Sequence, residues 1–296
     1  MRPAVDLSVI IVSYNTRDLL LNCLASVYDA AGDLRLEVFV VDNASEDKSV
    51  EAVAGAYPEV SLITSKRNLG FSKANNLALR VARGRYVLLL NPDTVVDRAC
   101  LAKMAEFMDG CPDVGMATCK LVLPNGDLDL ACRRKFPTLW DGFCRASGLS
   151  GLFPKSKIFA GYNLTFLDEN ETADVDAVNG AFMFCRRFAI EQVGFLDEEY
   201  FMYIEDLDWC YRFRQAGWRI VYYPGAVTIH AKGQSGKQKS SAMIRELFKS
   251  TRIFYRKHYL GEMGRGGRAL VLVGLGLWEF VTLARNALRT EKRTRP

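Results

Sequence analysis

Histidine is scarce in this 296-residue sequence, two residues in all, and the eight cysteines (Cys23, Cys100, Cys111, Cys119, Cys132, Cys144, Cys185 and Cys210) include no CxxC pair. Zinc sites and thioredoxin-like redox motifs are thereby excluded, and reduced core thiols are expected. The N-terminal Met1-Arg2-Pro3-Ala4-Val5-Asp6 offers no apolar h-region, so no signal peptide is read and a cytosolic chain without disulfides is expected. The dinucleotide fingerprint GxGxxG and the P-loop are both missing, which removes the main support for NAD-type and P-loop ATP sites. There is no internal repeat and no low-complexity tract. An apolar fraction of 49% and a charged fraction of 25% are ordinary globular values, which excludes disordered, collagen-like and polytopic membrane classes. The 39 Lys and Arg exceed the 34 Asp and Glu by a net charge of +5. That bias suits phosphates or an anionic membrane surface and is too small to argue for nucleic acid.

What the sequence does contain is a strand–helix alternation over its first ~120 residues, the pattern of a parallel sheet with crossover helices. Strands are expected at 7–12, 36–41, 60–64 and 86–90, each rich in Val, Ile or Leu as for strands buried on both faces. Helices are expected at 16–30, 46–56, 71–83 and 97–108. In such a sheet ligands bind beyond the carboxyl ends of the strands, and every one of those ends is polar here: Ser13-Tyr14-Asn15, Asp42-Asn43-Ala44-Ser45, Lys66-Arg67-Asn68-Leu69-Gly70-Phe71 and Asn91-Pro92-Asp93. After residue 114 the pattern changes. Residues 120–123 and 128–132 read as a hairpin about Asn125-Gly126, a loop-rich stretch covers 141–161, and regularity returns at 175–186. Strand-like runs at 219–223 and 227–230 precede a basic helix at 240–259.

Three acids fall within four residues at Glu205-Asp206-Leu207-Asp208. Acids gather in first helical turns for dipole reasons, and Asp208 can pair with Arg212 one turn on. Like charges so close also raise one another's pKa, a pattern suited to a general base. The aromatic residues nearby (Phe195, Tyr200, Phe201, Tyr203, Trp209 and Trp218) are read mostly as packing. Arg245, Lys249, Arg252 and Arg256 share one helical stripe that Lys232, Lys237 and Lys239 extend toward His230, either a solvated face or a diphosphate-binding rim.

Taken in order, Val12-Ser13-Tyr14-Asn15, Val41-Asp42-Asn43-Ala44-Ser45, Asn68-Leu69-Gly70-Phe71, Asn91-Pro92-Asp93, Asn179-Gly180-Ala181-Phe182, the 201–208 segment and His230 resemble the family 2 (GT-A fold) inverting glycosyltransferases. Within that family the sequence looks most like the rhamnosyltransferase-type enzymes of bacterial cell-envelope polysaccharide assembly, over residues 7–259. The resemblance implies a GT-A-type, doubly wound, mainly parallel α/β sheet with flanking helices and further C-terminal helices. It implies one domain over 1–260, with a nucleotide-binding half at about 1–120 and an acceptor half at about 121–260. The donor would be a nucleoside-diphosphate sugar, dTDP-L-rhamnose foremost and a UDP-hexose next. Ser13, Tyr14, Asn15, Asp42, Asn43, Asn68, Phe71, Asn75, Asn91 and Asp93 would surround it. Asp93 and His230 would hold Mn²⁺ or Mg²⁺, although Asn91 replaces one acid of the usual DXD-type motif. Asp206 would be the base, with Glu205 and Asp208 supporting it, and the acceptor would be a saccharide, for instance on a polyprenyl diphosphate. A binding module of the same fold without chemistry is the alternative from another class; it would not require Asp93 and Asp206 together.

Residues 261–296 stand apart as a basic, apolar segment. Its run at 269–284 is 16 residues long, about 24 Å as a helix against a ~30 Å hydrocarbon core, and cations flank it on both sides. An interfacial helix at the inner face of the cytoplasmic membrane, or one packed on the catalytic domain, is expected rather than a spanning one.

Overall fold

The computed structural model describes residues 5–231 and 241–294. Its first half is β1 (Leu7–Ser13), α1 (Arg17–Asp29), β2 (Leu36–Asp42), α2 (Ser49–Ala56), β3 (Ser61–Thr64), α3 (Phe71–Leu79) and β4 (Tyr86–Leu90). There follow β5 (Thr94–Val96), α4 (Cys100–Gly110), β6 (Val114–Val122), α5 (Leu139–Ser147), α6 (Leu149–Leu152), β7 (Ala173–Asp174), β8 (Phe182–Arg186) and α7 (Arg187–Val193). The chain closes with α8 (Glu205–Gln215), β9 (Arg219–His230), α9 (Ser241–His258) and α10 (Arg265–Thr294).

Among the described residues nine strands form a single mixed sheet in the order β3-β2-β1-β4-β8-β6-β9-β5, with β7 paired to β9. The β3-β2-β1-β4 half is parallel. After β3 the chain crosses back over β1 to lay down β4, which creates a switch point between β1 and β4 where a crevice opens. The Val, Ile and Leu runs of β1, β2 and β4 are buried, whereas the edge strand β3 is half exposed, because nothing pairs with its outer side.

The second half brings distant residues to the same edge. Strand β8 runs antiparallel to both β4 and β6, and β6 is parallel to β9, so β9 points the same way as β1 and ends, at His230, on the carboxyl edge. Strand β5 is antiparallel to β9 with Thr94 opposite His230, which sets Asp93 beside that histidine. The start of β8 lies opposite Leu90, so Asn179-Gly180 also opens onto this edge.

Three expectations change. The hairpin shrinks to one bridge, Val122 to Leu128, because the chain turns at Asp129 into a 3₁₀ turn at Leu130–Cys132 capped by the Asp129 carboxylate. The two runs ending at His230 are one strand, β9. The C-terminal helix extends well beyond the apolar run, over 30 residues, and its 24-residue stretch Arg265–Leu288 contains an 18-residue window with a mean hydropathy of 1.5. That stretch is about 36 Å long, so the length argument against a membrane span no longer holds. Only 11% of that window is buried. Val271 and Leu275 pack inward while Leu270, Val273, Leu277 and Phe280 stay exposed.

Candidate active site

A cleft of about 720 Å³ runs along the carboxyl edge of the sheet and ends between α9 and α10. Its polar end is built from strand ends. Tyr14, Asn43, Asn68, Phe71, Asn91 and Asp93 line it, whereas Ser13, Asn15, Asp42 and Asn75 stand outside its lining. Asn43 is a bracket: its Nδ2 donates to Asn68 Oδ1 at 2.9 Å, and its Oδ1 accepts the Leu69 N–H at 2.7 Å. Asn15, at φ +53°, takes the Glu46 N–H on its side chain and gives its own N–H to Ser45. Ser13 shares a hydrogen bond with Thr16, and Asn75 donates to the Phe71 carbonyl of its own helix. Asp42 is buried; one oxygen accepts the Ser45 N–H at 3.1 Å, and the other has no partner among the described atoms. Buried acceptors left this way are rare in folded proteins.

Gly70 ties this loop to the other wall. It has φ +80°, and a Cβ there would collide with the Phe201 carbonyl, which accepts the Phe71 N–H at 2.7 Å. Phe201 leads into Tyr203 and Ile204, two consecutive non-glycine residues at φ near +67°. Such strain persists where the surroundings over-determine it, and here it aims the first turn of α8 into the cleft.

Glu205 and Asp206 open that turn and both line the cleft. Asp206 Oδ2 receives Arg134 Nη2 at 2.6 Å and the Gly180 N–H at 3.2 Å, while its Oδ1 receives the Leu207 N–H at 2.8 Å. Burial, with Asp206 beside it, pushes the Glu205 carboxyl up to about 8, and its Oε2 has no partner among the described atoms. Asp208 does not line the cleft. Tyr200, Arg212 and His258 donate to it, the last at 2.7 Å. Burial alone would raise its pKa; the His258 bond and the Arg212 charge outweigh burial and hold it below the usual carboxylate range. Asp208 thus anchors α8 to α9.

At the far side of the polar end, His230 Nε2 lies 3.5 Å from Asp93 Oδ1, and His230 Nδ1 lies 2.9 Å from Asp129 Oδ2. Burial pulls this imidazole down, but the two carboxylates prevail and raise it to about 9. No cluster of three or more potential metal ligands occurs among the described residues. The pair nonetheless fits a divalent ion in kind: a hard carboxylate, an imidazole oriented from behind by a carboxylate, and remaining positions for phosphate or water oxygens.

Sequence reasoning missed Arg134, Asp129 and His258. The second of two histidines, His258 packs against Tyr211 and Phe254 in an aromatic box. Arg134 follows another buried arginine, Arg133; the sequence shows only an Arg-Arg pair, and arginine is ordinarily exposed, so nothing local marks it. The basic stripe of α9 does not form a phosphate rim. Lys249, Arg252 and Arg256 pair with Glu246, Glu279 and Glu199, and α9 presents Met243, Leu247, Phe248, Phe254 and Tyr255 to the cleft. The lysines 232, 237 and 239 lie outside the described residues.

The profile "Glycosyl transferase family 2" matches residues 8–170, more than half of the chain. N-acetylglucosaminyl-diphospho-decaprenol L-rhamnosyltransferase of Mycobacterium tuberculosis is 28% identical over 97% of this chain and 95% of its own length. Rhamnosyltransferase WbbL of Escherichia coli (strain K12) is 28% identical over 86% of this chain and 94% of its own. A mannosyltransferase from Pyrobaculum calidifontis, solved with GDP-Man and Mn²⁺, superposes with a TM-score of 0.60 at 20% identity, covering 99% of this chain and 76% of that one. This last likeness bears on the fold, which is GT-A-like.

Proposed function

The chain belongs to glycosyltransferase family 2, and from that premise we propose that this transferase moves L-rhamnose from dTDP-L-rhamnose onto a saccharide carried by a polyprenyl diphosphate. The names of the two rhamnosyltransferase relatives support the sugar, and the decaprenol of one supports the carrier. A UDP-hexose in place of dTDP-L-rhamnose is the second reading; the unpartnered Asp42 oxygen would accept the ring N–H of either base.

The observation that carries the chemistry is Asp206: a carboxylate facing the cleft, fixed by Arg134 and the Gly180 N–H, in the same cleft that Asp93 and His230 line. In a single in-line displacement the acceptor hydroxyl oxygen attacks C1, Asp206 Oδ takes its proton, and the C1–O bond to the diphosphate breaks with inversion. Asp93 and His230 would hold Mn²⁺ or Mg²⁺, which when bound supplies positive charge against the departing diphosphate. Asn43, through the Asn68–Phe71 loop, would shape the donor pocket, and strained Tyr203 and Ile204 would keep the acid turn in place. Helix α10 would rest on the inner face of the cytoplasmic membrane, where such an acceptor resides.

The test is release of nucleoside diphosphate from a panel of nucleotide sugars by the purified protein with Mn²⁺ and acceptor. Release from dTDP-L-rhamnose, lost in excess EDTA and in Asp206→Asn while donor binding survives, is expected. Donor binding without release from any sugar would make the protein a binding module.

A further inference from the structure

A second apolar surface lies next to α10. Within 20 residues, α5, α6 and the loop after them expose Leu139, Trp140, Phe143, Leu152, Phe153 and Ile158 at 46 to 71%. Monomeric soluble proteins seldom leave so many large apolar side chains together in water. These form one patch. Trp140 stacks on Phe143 at 5.5 Å and lies 6.1 Å from Phe159, which in turn packs on Phe153, and Trp140 Nε1 donates to the Ile158 carbonyl at 2.9 Å. The Thr138–Asp141 capping box fixes the start of α5.

This patch is continuous with α10: a Cβ at Gly142 would meet the Trp278 ring at 3.7 Å. Charge points the same way. Arg145, Lys155 and Lys157 are exposed on residues 139–158, where Asp141, the lone acid, is buried in the cap. On α10, Arg265, Arg268 and Arg285 flank the apolar face, and Glu279 is paired with Arg252. Apolar side chains rimmed by unopposed cations match an anionic bilayer surface, into which Trp and Phe settle at headgroup depth. Both elements reach the cleft: Gly142 and Arg145 of α5 and Leu275 and Trp278 of α10 are among its lining residues.

We propose that residues 139–158 form a second membrane foot, which together with α10 seats the mouth of the cleft on an anionic phospholipid surface. This deepens the reading of a lipid-linked acceptor and rests on it: the reducing end of such an acceptor enters the cleft from the bilayer between the two feet, without leaving the lipid phase. Leu152 and Ile158 reach outward and do not line the cleft.

The experiment is co-sedimentation of the full chain with phosphatidylcholine vesicles, with and without phosphatidylglycerol. The variants are Leu152→Ser/Ile158→Ser and, separately, Lys155→Glu/Lys157→Glu; donor binding and velocity sedimentation are recorded for each. Both should retain donor binding and lower the partition coefficient onto anionic vesicles about tenfold, with α10 intact. The charge variant should show a smaller preference for phosphatidylglycerol than the wild type, the α10 arginines supplying what remains. Unchanged partitioning of both variants would mean that α10 acts alone, and would overturn the proposal. So would a wild-type dimer that the Ser variant disperses without any lipid dependence, since a second copy would then cover the patch. Normal partitioning in a protein that transfers no sugar sinks the transferase assignment and leaves the second foot standing.

Discussion

Arg134 and Asp206, 72 residues apart in sequence, meet at 2.6 Å on the cleft wall, and the same guanidinium nitrogen donates to the Val178 carbonyl at 2.6 Å. The pair is nearly enclosed, with side-chain exposures of 11% and 12%. A guanidinium stays charged in such a place, so it holds Asp206 as an oriented carboxylate. Removing one member of an enclosed pair strands the other, at a cost of up to about 3–5 kcal/mol.

For Arg134→Met the expectation is therefore a large fall in unfolding free energy together with lost turnover. Arg134→Met/Asp206→Leu should regain much of the stability and none of the activity. Urea unfolding and initial rates measured on all four members of the cycle decide it; a double variant no more stable than Arg134→Met would contradict the pairing account.

Glu205 gives a pH signature. Its carboxyl is raised to about 8 from an ordinary value of 4.5, so the folded protein binds a proton more tightly than the unfolded chain. The resulting stability is complete below about pH 4.5 and is lost as pH rises through 8. Glu205→Gln does not ionise, so its Tm relative to wild type should climb between pH 5 and 9. A flat difference would remove the buried, protonated Glu205. The same variant should keep transfer within about tenfold, whereas Asp206→Asn should lose ~10²–10⁴-fold; the reverse order would make Glu205 the base.

The parallel half was legible because β1, β2 and β4 carry unbroken runs of Val, Ile and Leu, and the residues just after those runs face the cleft or buttress it. Pairings across long sequence distances were not legible. Nothing in the local pattern around Asn125-Gly126 says that Asp129 leaves the expected hairpin to cap a 3₁₀ turn and reach His230, since that depends on β9 ending alongside β5. The α9 cations looked like a phosphate rim because spacing reveals a stripe and not its direction; Glu199 and Glu279, far away in sequence, lie where that stripe points. Helix α10 was underestimated because its length was taken from the apolar run at 269–284 alone, while the backbone stays helical through Gly266, Gly267 and the flanking arginines.

The link between Asp129 and His230 predicts a metal effect without loss of a ligand. With Asp129→Asn the imidazole keeps a hydrogen-bond partner but loses the carboxylate that fixes it, and outer partners of this kind are worth about 10–100-fold in metal affinity. Mn²⁺ titration of the protein with bound nucleoside diphosphate, followed by electron paramagnetic resonance, should show a weakening of that order. Wild-type affinity in Asp129→Asn would remove His230 from the metal site.

At Gly70 the backbone conformation is the constraint. Alanine there meets both a positive φ and the Phe201 carbonyl, so the Asn68–Phe71 loop must shift away from the Tyr203–Ile204 turn. The expected outcome for Gly70→Ala is a lower Tm and donor affinity weakened at least about tenfold, as for strain forced on a fixed backbone. Isothermal titration with nucleoside diphosphate reports it; unchanged affinity would show that the loop is not part of the donor pocket.

Helix α10 has two faces with separable roles. One packs on α9 through Val271 and Leu275, with Trp278 against Phe248 and Glu279 paired to Arg252, and supplies Leu275 and Trp278 to the cleft. The other exposes Leu270, Val273, Leu277 and Phe280. Truncation after Gly261 removes both, so it should weaken vesicle binding sharply, leaving only the part that residues 139–158 supply, and also raise the KM for any acceptor by opening the apolar end of the cleft, while the strand-end donor pocket keeps its affinity. Leu277→Ser/Phe280→Ser alters only the outer face. That variant should leave vesicles in co-sedimentation yet keep the wild-type KM for a short, water-soluble acceptor, with a raised KM only for a long-chain acceptor in bilayers. Undiminished vesicle binding by the truncated chain would move the membrane contact away from α10 altogether.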